Sequence, residues 1–208
     1  MKYKTKQEQF WAGEFGASYI PRNKENKILS SNVALFGEII SKTREVKSAI
    51  EFGANVGLNL RAIKQLNNRI ELSAIEINNK AVTELKKLRN VKIYSQSILE
   101  YSPDYPRDFV FTKGVLIHIS PDYLPHVYDL LFEASNRYIC IIEYYNPTPV
   151  ELTYRDHRGK LFKRDFAGEI LDRYEDLILA SYGFVYHRDN NFPQDDINLF
   201  LLEKMTKR

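Results

Sequence analysis

The chain has 208 residues, 44% of them hydrophobic and 27% charged, with a formal net charge of +3. That length suits one domain around a single large core, and so small a charge gives little reason to expect a long phosphate backbone as partner. No stretch reaches the roughly eighteen apolar residues of a membrane span, and the start MKYKTKQEQF has no apolar signal core, so a cytoplasmic protein without membrane attachment is expected.

The single cysteine, Cys140, lies in the apolar run YICIIEYY. It forms no internal disulfide or multi-cysteine zinc site, and it reads as a buried thiol. After a polar, aromatic-bearing start, SNVALFGEIISKT spaces Val33, Phe36 and Ile40 as a helix, with Ser30 or Ser31 as its cap. VKSAIEFG then reads as a strand and a helix follows from about Gly57, with Leu60, Ile63 and Leu66 on one side. IELSAIEI is a second strand, NNKAVTELKKL a helix, VKIYSQS a third strand and DFVFTKGVL a fourth. SPDYLPHVYDLLFEAS begins a helix with Ser120 as cap and Pro121 in its first turn, and RYICIIEYY is a fifth strand, apolar throughout as one covered on both faces should be. The alternation predicts a parallel sheet with helices on both sides. The pattern then changes: GEILDRYEDLILASYGF reads as one helix, with Ile170, Leu171, Tyr174, Leu177 and Ile178 inward and a stop near Gly183. FVYHRD and INLFLLEK follow as an antiparallel hairpin across a short Asn/Pro/Asp segment.

The stretch AIEFGANVGLNL places a glycine turn between the first strand and its helix. The dinucleotide fingerprint G-x-G-x-x-G fails there, because Asn55 and Leu58 stand where glycines belong. What remains is Glu51-x-Gly53-x-Asn55-x-Gly57, followed at the end of the second strand by Glu76, an acid placed to accept hydrogen bonds from ribose hydroxyls. The bland alternative, a tight structural turn, loses ground once Glu76 is added.

With its terminal hairpin, this arrangement resembles the class I S-adenosylmethionine (SAM)-dependent methyltransferases: a Rossmann-like, seven-stranded, mostly parallel sheet with a C-terminal antiparallel hairpin and helices on both faces. EFGANVG resembles their cofactor loop and IEI the acidic end of strand two; the resemblance assigns Glu51, Gly53, Asn55, Gly57, Leu58, Asn59, Glu76 and Ile77 to cofactor binding. SQSILEY matches the adenine-facing segment, implying Ser97 and Ile98, and FTKGVLIHIS the methionine side, implying Lys113, Gly114, Val115 and His118. Two further stretches, QEQFWAGEFGASYIPRN and EYYNPTPVELTYRDHRGKLFKRDFAGEIL, resemble the methylases associated with pseudaminic acid biosynthesis. That likeness implies a small, anionic, sugar-derived acceptor in a nonulosonic-acid or surface-glycan pathway, with S-adenosylhomocysteine (SAH) as the other product.

On this reading residues 1–208 form one methyltransferase domain, residues 1–30 a lid and residues 144–168 an acceptor-side insertion. The lid carries Phe10, Trp11, Tyr19, Arg22 and Asn23 as further cofactor contacts, although packing of the first helix is a simpler role for any one aromatic. Acceptor contacts are expected from Tyr144, Tyr145, Asn146, Tyr154, Arg155, His157 and Lys163, since arginine grips a carboxylate or phosphate by paired bonds; a solvated basic loop is the alternative. For a hydroxyl acceptor the base candidates are His118, His157 and Tyr144, while a neutral amine needs alignment alone. No metal is expected, because no ligand spacing is recognisable. The alternatives are an RNA or protein methyltransferase of the same fold and a non-catalytic cofactor-binding module, with a dehydrogenase last.

Overall fold

The computed structural model describes residues 3–23 and 26–205, the side chains of residues 22–27 excepted. The chain begins with two short helices, α1 (Lys6–Ala12) and α2 (Glu14–Tyr19), and a 3-10 turn over Ile20–Asn23. Thr5 and Glu8 form a reciprocal capping box at the start of α1, which fixes the helix without a long apolar face. Helix α3 (Asn26–Ser41) starts earlier than expected, so Ser30 and Ser31 lie inside it rather than at its start. The alternating units follow: β1 (Ser48–Phe52), α4 (Leu58–Leu66), β2 (Glu71–Glu76), α5 (Asn79–Leu85), β3 (Val91–Ser95), β4 (Arg107–Lys113), α6 (Leu124–Ala134) and β5 (Ser135–Glu143). After β5 come β6 (Val150–Tyr154), β7 (His157–Lys163), α7 (Phe166–Arg173), β8 (Leu177–Val185) and β9 (Ile197–Lys204).

Seven strands form one sheet in the order β3-β2-β1-β4-β5-β9-β8, with β9 antiparallel to both β5 and β8. Alternate strand residues serve opposite faces. Ile50, Val110, Ile139 and Ile141 pack with α6 and α7, and Ala49, Phe109, Phe111, Cys140 and Ile142 with α3 and α4. Cys140 is fully buried in β5.

Two elements differ from the sequence reading. The long helix expected over residues 168–184 is two elements: Asp165 accepts from the Gly168 N–H to start α7, which ends at Arg173, and Leu177–Val185 is the edge strand β8. The inward set therefore splits, with Leu177 buried and Ile178 exposed, and Gly183 lies within a strand. Helical spacing over these residues was outweighed by the backbone pairing that β9 offers along the whole of β8. The segment read as an acceptor-side loop is largely a separate two-stranded hairpin, β6–β7, turned by Arg155 and Asp156, both with positive φ. No helix among the described residues is long and apolar enough to cross a membrane.

Candidate active site

From β1 the chain crosses to β2 and β3 on one side, and β4 and β5 lie on the other, so the carboxyl ends of β1 and β4 flank a topological switch point. A cavity of about 340 Å³ opens at those ends. Gly53 leaves β1 with φ 79°, and a Cβ added there would stand 2.6 Å from a Val115 methyl, so the loops after β1 and β4 touch only because the residue is glycine. Gly57, also left-handed, caps α4 and lies against Leu85 and Leu88 rather than in the cavity wall.

Glu76, at the end of β2, orders the loop above it. Its two carboxylate oxygens accept the N–H groups of Asn55 and Asn78, each at 2.7 Å. Burial raises its pKa, against the pull of those donors. Glu51 accepts from Asn59 Nδ2 at 2.5 Å, and burial pushes its carboxyl up to about 8. Buried atoms left without a partner among the described residues include Glu51 Oε2, Asn55 Oδ1, Asn59 Oδ1 and Trp11 Nε1. All four side chains line the cavity. Unpaired buried polar atoms are rare in folded proteins, and a collar of them around one cavity is the expected lining for a polar ligand.

The wall also contains Leu58, Ile77, Ser97, Ile98, Lys113, Gly114 and Val115, which the family resemblance assigns to cofactor binding. Lys113 reaches Asn32 Oδ1 at 3.4 Å, and desolvation lowers its pKa while Asp195, Glu51 and Glu143 oppose that shift. Glu143, at the end of β5, accepts the N–H groups of Val115 and Leu116, both at 2.9 Å, and so shapes the loop after β4 from below. Its own carboxyl is pushed by burial to about 7.

The N-terminal helices roof the cavity with Trp11 and Tyr19. They are tied down on three sides: Ser97 Oγ donates to Glu8, Asn78 Nδ2 donates to the Trp11 carbonyl at 2.9 Å, and Gln7 Nε2 donates to the Gly159 carbonyl of β7 at 2.9 Å. The side chains of Arg22 and Asn23 lie outside the described residues. Phe10 is not in the wall; it stacks on Phe15 with ring centroids 4.0 Å apart, on the outside of the roof.

Against the roof stand His118 and Tyr154, their ring centroids 4.5 and 6.3 Å from that of Trp11, and Tyr144 also lines the cavity. His118 Nδ1 lies 2.5 Å from the Lys160 carbonyl, which requires the proton on Nδ1 and leaves Nε2 as an acceptor. Burial lowers its pKa to about 4, so the ring is neutral at physiological pH. Burial, with Asp195 second, raises the Tyr144 phenol, and burial with Tyr154 beside it pushes Tyr19 up to about 12.

Five of the acceptor-side expectations fall outside the wall. His157 is exposed and meets Phe10 and Phe15 at ring distances of 4.9 and 5.5 Å, so it cannot serve as a base inside the cavity. Arg155 lies over the Tyr154 ring at 5.6 Å and Lys163 over Tyr144 at 4.9 Å, and neither lines the cavity. Tyr145 packs on Phe200, and Asn146 Nδ2 donates to the Thr148 carbonyl. The alternation of an extended chain explains part of this: Tyr144 and Tyr145 follow β5 in succession and point to different sides.

Two groups stand out among the wall residues that sequence reasoning missed. Thr5, Gln7 and Glu8 come from α1, where the Thr5-x-x-Glu8 capping box was a legible signal. Pro193, Gln194 and Asp195 come from the β8–β9 connection, which reads in sequence as a plain hairpin link; Gln194 Nε2 donates to Asn32 Oδ1 at 3.0 Å and holds that connection over the cavity. Among the described residues no three His, Cys, Asp or Glu side chains gather as a metal site.

No protein-family profile matches the chain, and no curated protein matches it in sequence. Solved structures do match in fold. A SAM-dependent methyltransferase from Leishmania major superposes with a TM-score of 0.72 at 13% identity, over 95% of this chain and 81% of that one. The 1,6-didemethyltoxoflavin-N1-methyltransferase of Burkholderia thailandensis, with its substrate and SAH bound, gives 0.71 at 12% identity over 99% and 92%. A plantazolicin methyltransferase holding SAH and a desmethyl analogue gives 0.63 at 13% identity over 92% and 90%. The chain has the Rossmann-like fold of these SAM-dependent methyltransferases.

Proposed function

We propose that this chain transfers a methyl group from SAM to a small-molecule acceptor. The observation that carries the reading is the cavity at the switch point, where Glu76 closes one wall and the unpartnered atoms of Glu51, Asn55, Asn59 and Trp11 surround the space. Each Glu76 oxygen uses one lone pair on a backbone N–H and keeps another for a ribose hydroxyl. Ser97 and Ile98 provide the adenine side, and Lys113 and the unpartnered Glu51 Oε2 suit the carboxylate and ammonium of a methionyl group, the ammonium drawing Glu51 to its ionised form when it binds. When bound, SAM supplies an electrophilic methyl group.

The chain's own residues align and desolvate. Trp11 and Tyr19 exclude water from above, which favours transfer because the methyl is attacked in line and needs positioning above all. For a hydroxyl acceptor, the unprotonated Nε2 of His118 is the base, its ring oriented by the Lys160 carbonyl. Tyr144, with its raised pKa, acts as a hydrogen-bond donor instead.

The acceptor is placed beside His118, Tyr144 and Tyr154. The likeness of the N-terminal and residue 143–171 stretches to pseudaminic-acid-associated methylases makes a sugar-derived acceptor the first class to try. An anionic group on it has one Lys or Arg to meet in the described wall, Lys113, while Arg155 and Lys163 lie against the Tyr154 and Tyr144 rings outside the wall. The test is incubation with methyl-labelled SAM and a panel of nonulosonic acids, neutral sugars and nucleotide-sugars. Label transferred to a sugar, and lost with Tyr154→Ala at unchanged SAH affinity, is expected. Label transferred only to RNA or protein fractions would overturn the small-molecule reading.

A further inference from the structure

The sheet ends in two different ways. At one edge β3 carries Lys92, exposed and paired with Asp104 at 2.5 Å, a charge of the kind that keeps an edge strand from pairing with other chains. The opposite edge, β8, reads LILASYGFV: nine residues with no charge and no proline, paired with β9 on one side and with no strand on the other among the described residues.

The face of β8 is bare as well. Tyr182, Phe184 and Tyr186 are 72%, 56% and 46% exposed. Across the ladder Tyr182 pairs with Phe200, whose ring lies 5.9 Å from Tyr145, itself 40% exposed. Helix α7 has eight residues and directs its buried side chains, Phe166, Ala167 and Ile170, to the centre of the sheet, so it leaves these outer aromatics uncovered. At about 200 Å² per ring the exposed shares of the four tyrosine and phenylalanine side chains come to roughly 430 Å², and Leu179, opposite Leu202 on the same face, brings the patch to roughly 500 Å².

We propose that two copies of this chain associate through β8, pairing edge to edge and antiparallel across a two-fold axis, with the aromatic patches of both copies brought together beside the seam. The pairing is self-complementary: an antiparallel edge strand offers its twin the same row of N–H and C=O groups, and a two-fold contact closes without leaving another free edge there. Across the axis the rings of Tyr182 and Phe184 stand beside those of the second copy on one face of the joined sheet, where aromatic cross-strand pairs add to the backbone bonds of the seam. The cavity stays open in such a dimer, because neither β8 nor the patch contributes to its wall.

The test is sedimentation equilibrium of the full chain across about 1 to 100 μM, which brackets a micromolar dissociation constant. A discrete species of twice the chain mass is expected. Tyr182→Lys and Phe184→Lys, each placing like charges near the axis, should each give monomer with unchanged SAH affinity and far-ultraviolet spectrum, while Leu66→Lys, an exposed leucine on α4, should leave the dimer intact. A monomeric wild-type protein throughout the range would overturn the proposal. So would a dimer insensitive to both β8 substitutions, or an open series of larger species in place of a closed pair.

Discussion

Replacing Glu76 tests both the loop and the ligand it is proposed to hold. The carboxylate accepts two backbone N–H groups at 2.7 Å and, on the present reading, two ribose hydroxyls. Hydrogen bonds to a charged acceptor contribute about 1.5–3 kcal/mol each. Losing the two from ribose should therefore weaken SAH binding by about 3–6 kcal/mol, roughly 10² to 10⁴ in dissociation constant. Glu76→Ala also leaves the Asn55 and Asn78 N–H groups unpaired, at a cost of about 1–3 kcal/mol each to folding if no water replaces the acceptor. Glu76→Gln keeps the volume and one acceptor oxygen, so it should unfold later than Glu76→Ala while still binding poorly. Calorimetry with SAH and with its 2′-deoxy analogue separates the two effects. Wild type should lose tenfold or more with the deoxy compound, and the variants much less, because the hydroxyl's partner is already gone. A Glu76→Ala protein that binds SAH within threefold of wild type, or that shows the full deoxy penalty, would refute the assignment.

Three other outcomes follow from the same geometry. His118→Ala should lower turnover on a hydroxyl acceptor by about 10²-fold or more with little change in SAH affinity, and the wild-type rate should hold down to about pH 5, since His118 titrates near 4; an acid limb at pH 6 to 7 would exclude it as the base. Glu51 and Glu143, raised to about 8 and 7, are protonated in the fold where the unfolded chain is ionised, so their contribution to stability is complete below about pH 4 and is lost as pH rises through 7 to 8. The unfolding free energy should accordingly fall between about pH 5 and 8, at up to about 1.4 kcal/mol per pH step of one for each carboxyl, and Glu51→Gln should flatten that slope; denaturant midpoints that rise over this window would contradict the burial argument. Gly16→Ala would place a Cβ 1.9 Å from the Trp11 carbonyl oxygen, so the roof must shift. SAH affinity should drop severalfold while the unfolding midpoint of the sheet barely moves, and an unchanged affinity would argue that the roof has no part in binding.

The parallel half of the fold was readable because its strands are bounded by clear turns and its helices carry regular apolar faces. β1 through β5 stand close to where alternation and turn chemistry place them. The last third was not, for a physical reason: residues 170–178 satisfy a helical spacing, and only a distant partner, β9, decides that Leu177 onward is a strand. The part of the cavity proposed to hold the cofactor was legible in the same way, since Glu51, Gly53 and Glu76, which line it, sit at fixed offsets from strand ends. The wall beyond it was not, since Asp195 and Gln194 arrive from a connection whose reach depends on tertiary packing. The basic residues of β6–β7 attract attention in the sequence, yet alternation along a hairpin and a tight turn at Arg155 carry most of them away from the cavity. Asn55, with φ 48°, takes the left-handed place that a glycine fills in the dinucleotide fingerprint, which is why the loop keeps its turn although the pattern fails.

Calorimetric titration of the purified chain with SAH and with NAD in parallel is the most direct test of the proposed donor site. Saturable binding of SAH, with none for NAD, is the predicted result. Binding of NAD without SAH, or of neither, would contradict the assignment of the cavity at Glu51 and Glu76 to a sulfur nucleoside.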